Sequence, residues 1–175
     1  ERGMDEMYSH LVDMEPVLRK AMNDNEFQLY LQPQFDFDLQ QLCGFEALIR
    51  WQHPERGLLS PVEFLPYIDQ LGLSAELDDW VLNEAANILM HWKRLFGVCW
   101  PIAVNLSAPQ FQHFQLIEKM ERLQQEFGIE PEWLELEITE NVAMSDLHNG
   151  MSVIQRLREM GYGIAIDEIG RASCR

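Results

Sequence analysis

Two hydrophobic periods alternate along this chain of 175 residues. Apolar residues recur every three or four positions where helices are expected, and they gather into short continuous runs where strands are expected. The helical stripes cover residues 11–22, 61–71, 77–96, 111–127 and 147–157. The strand-like runs cover residues 27–37, 42–51, 100–107, 133–140 and 162–169. The pattern therefore predicts helices and strands in similar number.

From the strand at 42–51 onward, strands and helices alternate. Such alternation predicts right-handed crossovers and a parallel sheet, which places the chain in the α/β class. A doubly wound sheet and a (β/α)8 barrel both satisfy this pattern. Neither G-x-G-x-x-G nor G-x-x-x-x-G-K-[ST] follows a strand, so neither glycine-rich phosphate motif is supported.

Composition narrows the range of partners. The chain carries 13 Lys and Arg against 29 Asp and Glu, a net charge of −16, so it would repel a polymeric nucleic acid. A small anionic ligand is compatible with this charge if bound cations supply positive charge locally.

The cysteines and histidines form no recognisable motif. No C-x-x-C pair is present, which favours a reducing cytoplasm over a disulfide framework. No H-x-x-x-H motif is present, which disfavours a zinc site. No apolar run approaches the roughly 20 residues of a membrane span.

Polar side chains interrupt strands that should be almost wholly apolar in a covered sheet. They lie at or near the carboxyl ends of four strands, and they are Glu46, Arg50, Asn105, Glu135, Glu137, Glu140, Asp167 and Glu168. Strand alternation puts Glu46 with Arg50, and Glu135 with Glu137, on one face. The carboxyl ends of strands are where α/β barrels build their active sites, so we expect these side chains to meet.

A cluster of buried carboxylates is costly unless cations compensate it. Oxygen ligands from Glu, Asn and Asp favour Mg²⁺ or Mn²⁺, and two such ions suit phosphodiester hydrolysis. Each residue alone also has an ordinary explanation: a strand-end glutamate is more often solvated or in a salt bridge, and Asn105 is compatible with a turn. Composition and spacing therefore indicate a metal-dependent α/β hydrolase and leave the substrate open.

Residues 44–66, GFEALIRWQHPERGLLSPVEFLP, resemble the signature segment of EAL domains. Further motifs occur in that family's order: YLQP at 30–33, VNLS at 104–107, ELEITE at 135–140 and AID at 165–167. The resemblance covers residues 25–170 and implies a TIM-type (β/α)8 barrel whose first strand runs antiparallel to the rest. It also implies hydrolysis of cyclic-di-GMP to linear pGpG in bacterial second-messenger signalling.

The resemblance assigns roles to individual residues. It implies two Mg²⁺ or Mn²⁺ ions held by Glu46, Asn105, Glu137, Asp167 and Glu168. It implies contacts to cyclic-di-GMP from Gln32, Leu48 and Arg50, with Arg50 pairing with a phosphate. Glu140 would shape the loop that follows its strand.

The chain departs from the family pattern at residues 168–175. Glu168 stands where the family has a second aspartate, and its extra methylene puts the second ion in doubt because Mg²⁺ demands tight octahedral geometry. Residues 171–175, RASCR, match nothing in the family, and vector sequence would explain them. The family's general base is expected beyond residue 175, so no catalytic base is identified. We expect an incomplete barrel of about five strands, weak activity, and a homo-oligomer formed through open sheet edges.

Residues 1–24 are expected to form an N-terminal helix and linker, because residues 1–8 weakly resemble the end of a GGDEF domain. Three functions compete: the phosphodiesterase, a non-catalytic sensor that binds cyclic-di-GMP, and an interaction scaffold. The scaffold is disfavoured because it has no use for a costly acidic cluster. We expect a cytoplasmic domain. Whether a longer parent protein carries a membrane anchor elsewhere is left open by the sequence.

Overall fold

The computed structural model describes the backbone of residues 2–36, 38–108, 115–139 and 147–167, and the side chains of residues 13–36, 38–108, 115–139 and 151–166. The elements in this part of the chain are α1 (Arg2–Asn23), β1 (Phe27–Asp36), β2 (Gln41–His53), β3 (Gly57–Leu59), α2 (Pro61–Gln70), α3 (Ser74–Phe96), β4 (Ile102–Asn105), α4 (Gln115–Phe127), a 3-10 turn (Pro131–Trp133), β5 (Leu134–Thr139), α5 (Leu147–Glu159) and β6 (Gly163–Asp167).

The strands form one mixed sheet with the order β1-β2-β4-β5-β6. β1 runs antiparallel to β2, whereas β2, β4, β5 and β6 pair in parallel. β3 pairs antiparallel with the distal end of β2. The predicted α/β class is confirmed, and within the described residues the sheet is open, with β1 and β6 at its two ends.

One face of the sheet is covered by α3, α4 and α5. The apolar residues that α3 buries in this layer are Val81, Leu82, Ala85, Ala86 and Leu89. The strand residues in the same core are Ile102, Val104, Leu134, Leu136 and Ile138, each at most 1% exposed. Each fully buried leucine or isoleucine stabilises the fold by about 1.5–3 kcal/mol, so this layer holds the parallel strands in register.

A second core lies under α1, α2 and the distal half of β2. The ring of Phe27 lies 5.5 Å from that of Trp51 and 5.3 Å from that of Phe64, measured between centroids. Leu18 of α1 is fully buried in this core. The second half of α1 therefore packs on the same domain as the sheet. No helix in the described part of the chain combines the length and hydropathy needed to cross a membrane.

β2 is longer than the sequence pattern predicts, and it places Glu46 in the middle of the strand rather than near its end. The extension arises because Trp51–His53 pairs with β3, a three-residue strand that the sequence did not predict. The turn between them is held by His53, whose Nδ1 accepts the N–H groups of Glu55 at 3.1 Å and Arg56 at 3.2 Å.

Other boundaries also differ from the prediction; α3, for example, begins at Ser74 rather than at residue 77. α1 begins at Arg2 rather than near residue 11. β4 ends at Asn105 rather than at residue 107, because the Ser107 N–H donates to the carboxylate of Asp78 instead of continuing the strand. The predicted starts of a helix at 111–114 and the end of a strand at 168–169 lie outside the described residues.

The face of the sheet opposite the helices is polar. Ala47 packs against the helix-covered core, so strand alternation puts its neighbours Glu46 and Leu48 on the other face. Leu136 and Ile138 likewise belong to the core, which leaves Glu137 on the polar face. The fold therefore brings the acidic residues of separate strands to one side of the sheet.

Candidate functional site

Three of the predicted metal ligands meet on the polar face. Asn105 Nδ2 donates a hydrogen bond to Glu46 Oε1 at 3.2 Å, which joins β4 to β2. Asn105 also lies opposite Glu137 in the parallel register of β4 and β5. Glu137 is 7% exposed, Glu46 is half-buried and Asn105 is exposed. The three side chains therefore form a row across adjacent strands, with the exposed Asn105 between the half-buried Glu46 and the buried Glu137.

Asp167 lies at the end of the adjoining strand. Its backbone pairs with Thr139 in the β5–β6 register, two residues beyond Ala165, which pairs with Glu137. The strand order and register thus bring the backbone of the fourth predicted ligand next to the strand of the third.

Two predicted site residues, Glu140 and Glu168, lie outside the described residues. Among the side chains that the structure describes, which exclude those of Asp167 and Glu168, no group of three or more His, Cys, Asp or Glu could hold a metal ion. The described part of the predicted ligand set therefore consists of two carboxylates and one amide.

This donor set fits a hard divalent cation. Glu46 and Glu137 supply carboxylate oxygens and Asn105 an amide oxygen, which match Mg²⁺ and Mn²⁺ rather than zinc or copper. The amide nitrogen of Asn105 donates to Glu46 Oε1, so the amide oxygen Oδ1 of Asn105 is directed away from that carboxylate. A bound cation would also lower the cost of burying the Glu137 carboxylate.

The residues predicted to contact the ligand lie beside Glu46. Gln32 is exposed and lies opposite Glu46 in the β1–β2 register. Leu48 and Arg50 follow Glu46 at alternate positions of β2, and both are half-buried. Arg50 Nη1 donates to the backbone oxygen of Ile49 at 2.8 Å. All three predicted contact residues therefore share the polar face with the carboxylates.

A cavity of about 400 Å³ opens beside Asn105, between the strands β2 and β4 and the helices α2 and α3. Its apolar wall includes Leu48, Ile49, Leu65, Ile68, Leu77 and Val81. Its polar lining consists of Asp69, Ser74, Asp78, Asn105 and Ser107. A mostly apolar pocket of this size with a few convergent polar groups is typical of small-molecule sites.

Asp78 is the buried acid of this cavity, with 7% of its surface exposed. Its Oδ2 accepts the Ser107 N–H at 2.9 Å and the Ser107 hydroxyl at 2.5 Å. Burial raises the pKa of Asp78 to about 6; the bonds from Ser107 oppose the rise, and the charges of Asp79 and Asp69 add to it. The two bonds tie α3 to the chain two residues after Asn105.

Sequence reasoning did not identify Asp78 or assign a role to Ser107. The sequence does contain a signal for Asp78. This residue lies four residues before Leu82, on the apolar face of the predicted helix, where a carboxylate is unexpected. Ser107 closes the VNLS motif, in which the sequence pattern points only to Asn105.

Comparison with known proteins identifies the family. The sequence model of the EAL domain matches residues 16–175. The chain belongs to the EAL domain family. Two relatives of this EAL domain come from Pseudomonas aeruginosa. The bifunctional diguanylate cyclase/cyclic di-GMP phosphodiesterase MucR is 38% identical over 153 residues, which are 87% of this chain and 22% of MucR. The cyclic di-GMP phosphodiesterase PA2567 is 38% identical over 154 residues, 87% of this chain and 26% of that protein.

Solved EAL structures share the fold. The MucR phosphodiesterase in complex with c-di-GMP superposes with a TM-score of 0.81 at 37% identity, covering 90% of this chain and 64% of that one. The EAL enzyme Bd1971 in its cAMP and cyclic-di-GMP bound form gives 0.82 at 24% identity, covering 98% and 48%, and supports the fold alone. The EAL assignment and its fold are therefore confirmed.

EAL phosphodiesterases generally depend on divalent metals. This chain spans about a quarter of the length of the two Pseudomonas relatives, 22% of one and 26% of the other.

Proposed function

We propose that this EAL domain hydrolyses cyclic-di-GMP to linear pGpG, and that the reaction uses two Mg²⁺ or Mn²⁺ ions bound at the active site. The observation that carries the proposal is the 3.2 Å contact between Asn105 and Glu46 beside Glu137, an all-oxygen group on the polar face of an EAL fold. MucR and PA2567, both named as cyclic di-GMP phosphodiesterases, add support at 38% identity.

The proposed metal site is shared among separate strands. Glu46, Asn105 and Glu137 would hold the ions together with Asp167 and its neighbour Glu168. Divalent ions at such a site activate water and neutralise charge that develops on the phosphate. Because glutamate is one methylene longer than aspartate, Glu168 makes the second ion the more demanding one to bind.

The ligand would be oriented by neutral and cationic groups around the carboxylates. Arg50 would pair with a phosphate, Gln32 and Leu48 would flank the dinucleotide, and Glu140 would shape the adjoining loop. Hydrolysis adds the oxygen of water to one phosphorus and breaks its bond to a ribose oxygen. That ribose oxygen takes up a proton, so the ring opens to a linear dinucleotide.

We assign the cavity beside Asn105 to one guanine base. Guanine presents N1–H and N2–H₂ on a single edge, and the carboxylates of Asp69 and Asp78 line the cavity as acceptors. Adenine lacks this pair of donors and would leave an acceptor unpaired. Cyclic-di-AMP should therefore bind at least about tenfold more weakly than cyclic-di-GMP in calorimetry. Equal affinities would contradict the assignment.

The activity can be tested directly. The chain is incubated with cyclic-di-GMP and Mn²⁺, and pGpG is followed by liquid chromatography. Glu137→Gln keeps the shape of the side chain but removes a ligand charge, so product formation should fall at least about a hundredfold. Glu118→Gln, an identical exchange at an exposed position of α4, should have no effect.

Two results would change the proposal. Binding of cyclic-di-GMP without any pGpG, with or without Mn²⁺, would favour the non-catalytic sensor. Product formation that persists undiminished in Glu137→Gln would remove Glu137 from the metal site.

We further propose that the domain belongs to a larger cytoplasmic signalling protein, in which the first residues of α1 lead from an upstream GGDEF domain. The bifunctional naming of MucR supports this context. The EAL match over residues 16–175 starts before residue 25 and runs past residue 170, so it is wider than the 25–170 expected from the sequence. We also propose self-association through the edge of the sheet at β6, where Ile166 is 48% exposed.

A further inference from the structure

Arg50 is held differently from the other arginines whose contacts the structure describes. Arg19, Arg56 and Arg156 each form a salt bridge with a glutamate. Within the described residues no carboxylate lies in salt-bridge range of Arg50, although Glu46 is four residues away on the same strand face. The guanidinium instead lies over the ring of Tyr30, 5.8 Å from its centroid, and bonds to the Ile49 carbonyl at 2.8 Å.

The β1–β2 register explains the contact. Tyr30 pairs with Leu48 and Gln28 pairs with Arg50, so the ring of Tyr30 is diagonal to Arg50 on the polar face. Diagonal neighbours of this kind are within reach of aromatic and long side chains. Tyr30 is nonetheless 44% exposed, so the hydrophobic effect gives little reason for a large ring at this position.

We propose that Tyr30 is a positioning residue for Arg50, orienting the guanidinium toward a ligand phosphate while leaving its positive charge available. The inference rests on the proposed binding of cyclic-di-GMP. A carboxylate partner would orient the guanidinium equally well but would cancel the charge that a phosphate must meet. An aromatic ring attracts a cation through its quadrupole and carries no net charge of its own.

The arrangement suits an acidic protein. With a net charge of −16 and Glu46, Glu135 and Glu137 on the same face, an unrestrained guanidinium would tend to turn toward a carboxylate. The bond from Nη1 to the Ile49 carbonyl uses one of the five guanidinium donors, and the contact with the Tyr30 ring brings no negative charge to the group. The remaining donors stay available for an anion.

The test compares variants of Tyr30 by calorimetry with cyclic-di-GMP in EDTA, because removal of divalent metal prevents hydrolysis of the ligand. Tyr30→Leu keeps apolar bulk but removes the ring, and affinity should fall about three- to tenfold. Tyr30→Phe keeps the ring and should bind like the wild type. Phe35→Leu removes another exposed aromatic of β1 and should also bind like the wild type. Circular dichroism checks that each variant is folded.

A double-mutant cycle shows whether Tyr30 acts through Arg50. In the background of Arg50→Gln, the substitution Tyr30→Leu should cause no further loss. A loss of the same size in both backgrounds would overturn the proposal, because Tyr30 would then contact the ligand on its own. Wild-type affinity in Tyr30→Leu would overturn it as well.

A readout without ligand separates this inference from the proposed function. In nitrogen-15 NMR spectra, the Nε–H resonance of Arg50 should be displaced by the ring current in the wild type and in Tyr30→Phe, and should lose that displacement in Tyr30→Leu. An unchanged Arg50 resonance would overturn the contact. If the wild-type chain failed to bind cyclic-di-GMP, the proposed function would be wrong, and the NMR comparison would still decide whether Tyr30 positions Arg50.

Discussion

Burial of the Asp78 side chain in the folded domain disfavours its ionised form. Its carboxylate is 7% exposed, and burial raises its pKa from the ordinary 3.8 to about 6 in spite of two hydrogen bonds from Ser107. Folding therefore favours the protonated acid. The corresponding contribution to stability is complete below pH 3.8 and is lost as the pH rises through about 6.

The substitution Asp78→Asn should flatten this pH dependence. Between about pH 5 and about pH 7.5 the free energy of unfolding of the wild type should fall by roughly 1–2 kcal/mol relative to that of the variant, because asparagine does not ionise. Urea unfolding followed by tryptophan fluorescence measures both curves. Ser107→Ala removes a hydroxyl donor that stabilises the Asp78 carboxylate, so the pKa of Asp78 should rise further. The free energy of unfolding of this variant should therefore continue to fall at higher pH than that of the wild type. Parallel curves for the wild type and Asp78→Asn would contradict the argument.

The residues of the site differ in how far the sequence predicts them. Glu46, Asn105 and Glu137 stand out because each is polar in a strand that should be apolar on both faces. The bond between Asp78 and Ser107 joins a helix to the end of a strand 29 residues later, and no periodicity encodes how those two elements pack. The cation–π contact to Arg50 depends on the register of β1 against β2, which becomes known only when the strands are paired.

At the scale of elements, the spacing of β2 and β4 depends on a glycine. A Cβ added to Gly44 would lie 2.6 Å from the backbone oxygen of Pro101, and the N–H of Phe45 donates to that same oxygen at 2.9 Å. A backbone oxygen that accepts a strand hydrogen bond cannot move aside as a side chain can. The close approach therefore sets the distance between the strands that carry Glu46 and Asn105.

Gly44→Ala should destabilise the domain by about 1–3 kcal/mol, because the strands must separate to admit the methyl group. Gly163→Ala is the matched control in the same sheet. There the added Cβ would meet the Glu135 side chain at 3.2 Å, and that side chain can shift. Thermal unfolding of both variants should therefore show a clearly smaller loss for Gly163→Ala. Equal losses would show that the Pro101 carbonyl is not the limiting contact.

The order of elements follows from the sequence more closely than their pairing does. The long helix α3 ends where the pattern predicts, because Gly97 adopts a left-handed conformation with φ of 72° and its N–H returns to the Lys93 carbonyl. β3 was not predicted because a strand of three residues is too short to show an alternation of apolar and polar positions. Whether the alternating elements form an open sheet or a barrel is not encoded in periodicity, since both architectures bury the same faces.

At the scale of the whole molecule, two properties oppose each other. The described sheet ends at β1 and β6, and a strand at the end of a sheet can pair with another chain. Beside this edge, the apolar side chain of Ile166 is 48% exposed. The net charge of −16 repels a second copy of the chain. Since salt screens charge but does not weaken apolar contact, the balance should depend on ionic strength.

Self-association should therefore increase with both protein concentration and salt. Sedimentation velocity at low and high sodium chloride should reveal a monomer–dimer equilibrium that shifts toward the dimer as the salt rises. Ile166→Lys places a charge beside the edge of β6 and should weaken the dimer at least about tenfold. Val62→Lys also replaces an exposed β-branched residue by lysine, here one that is 81% exposed on α2, and it should leave the equilibrium unchanged. If both lysine variants weakened the dimer equally, the interface would not lie at β6. A monomer at every concentration and salt would mean that the charge of the chain outweighs the open edge.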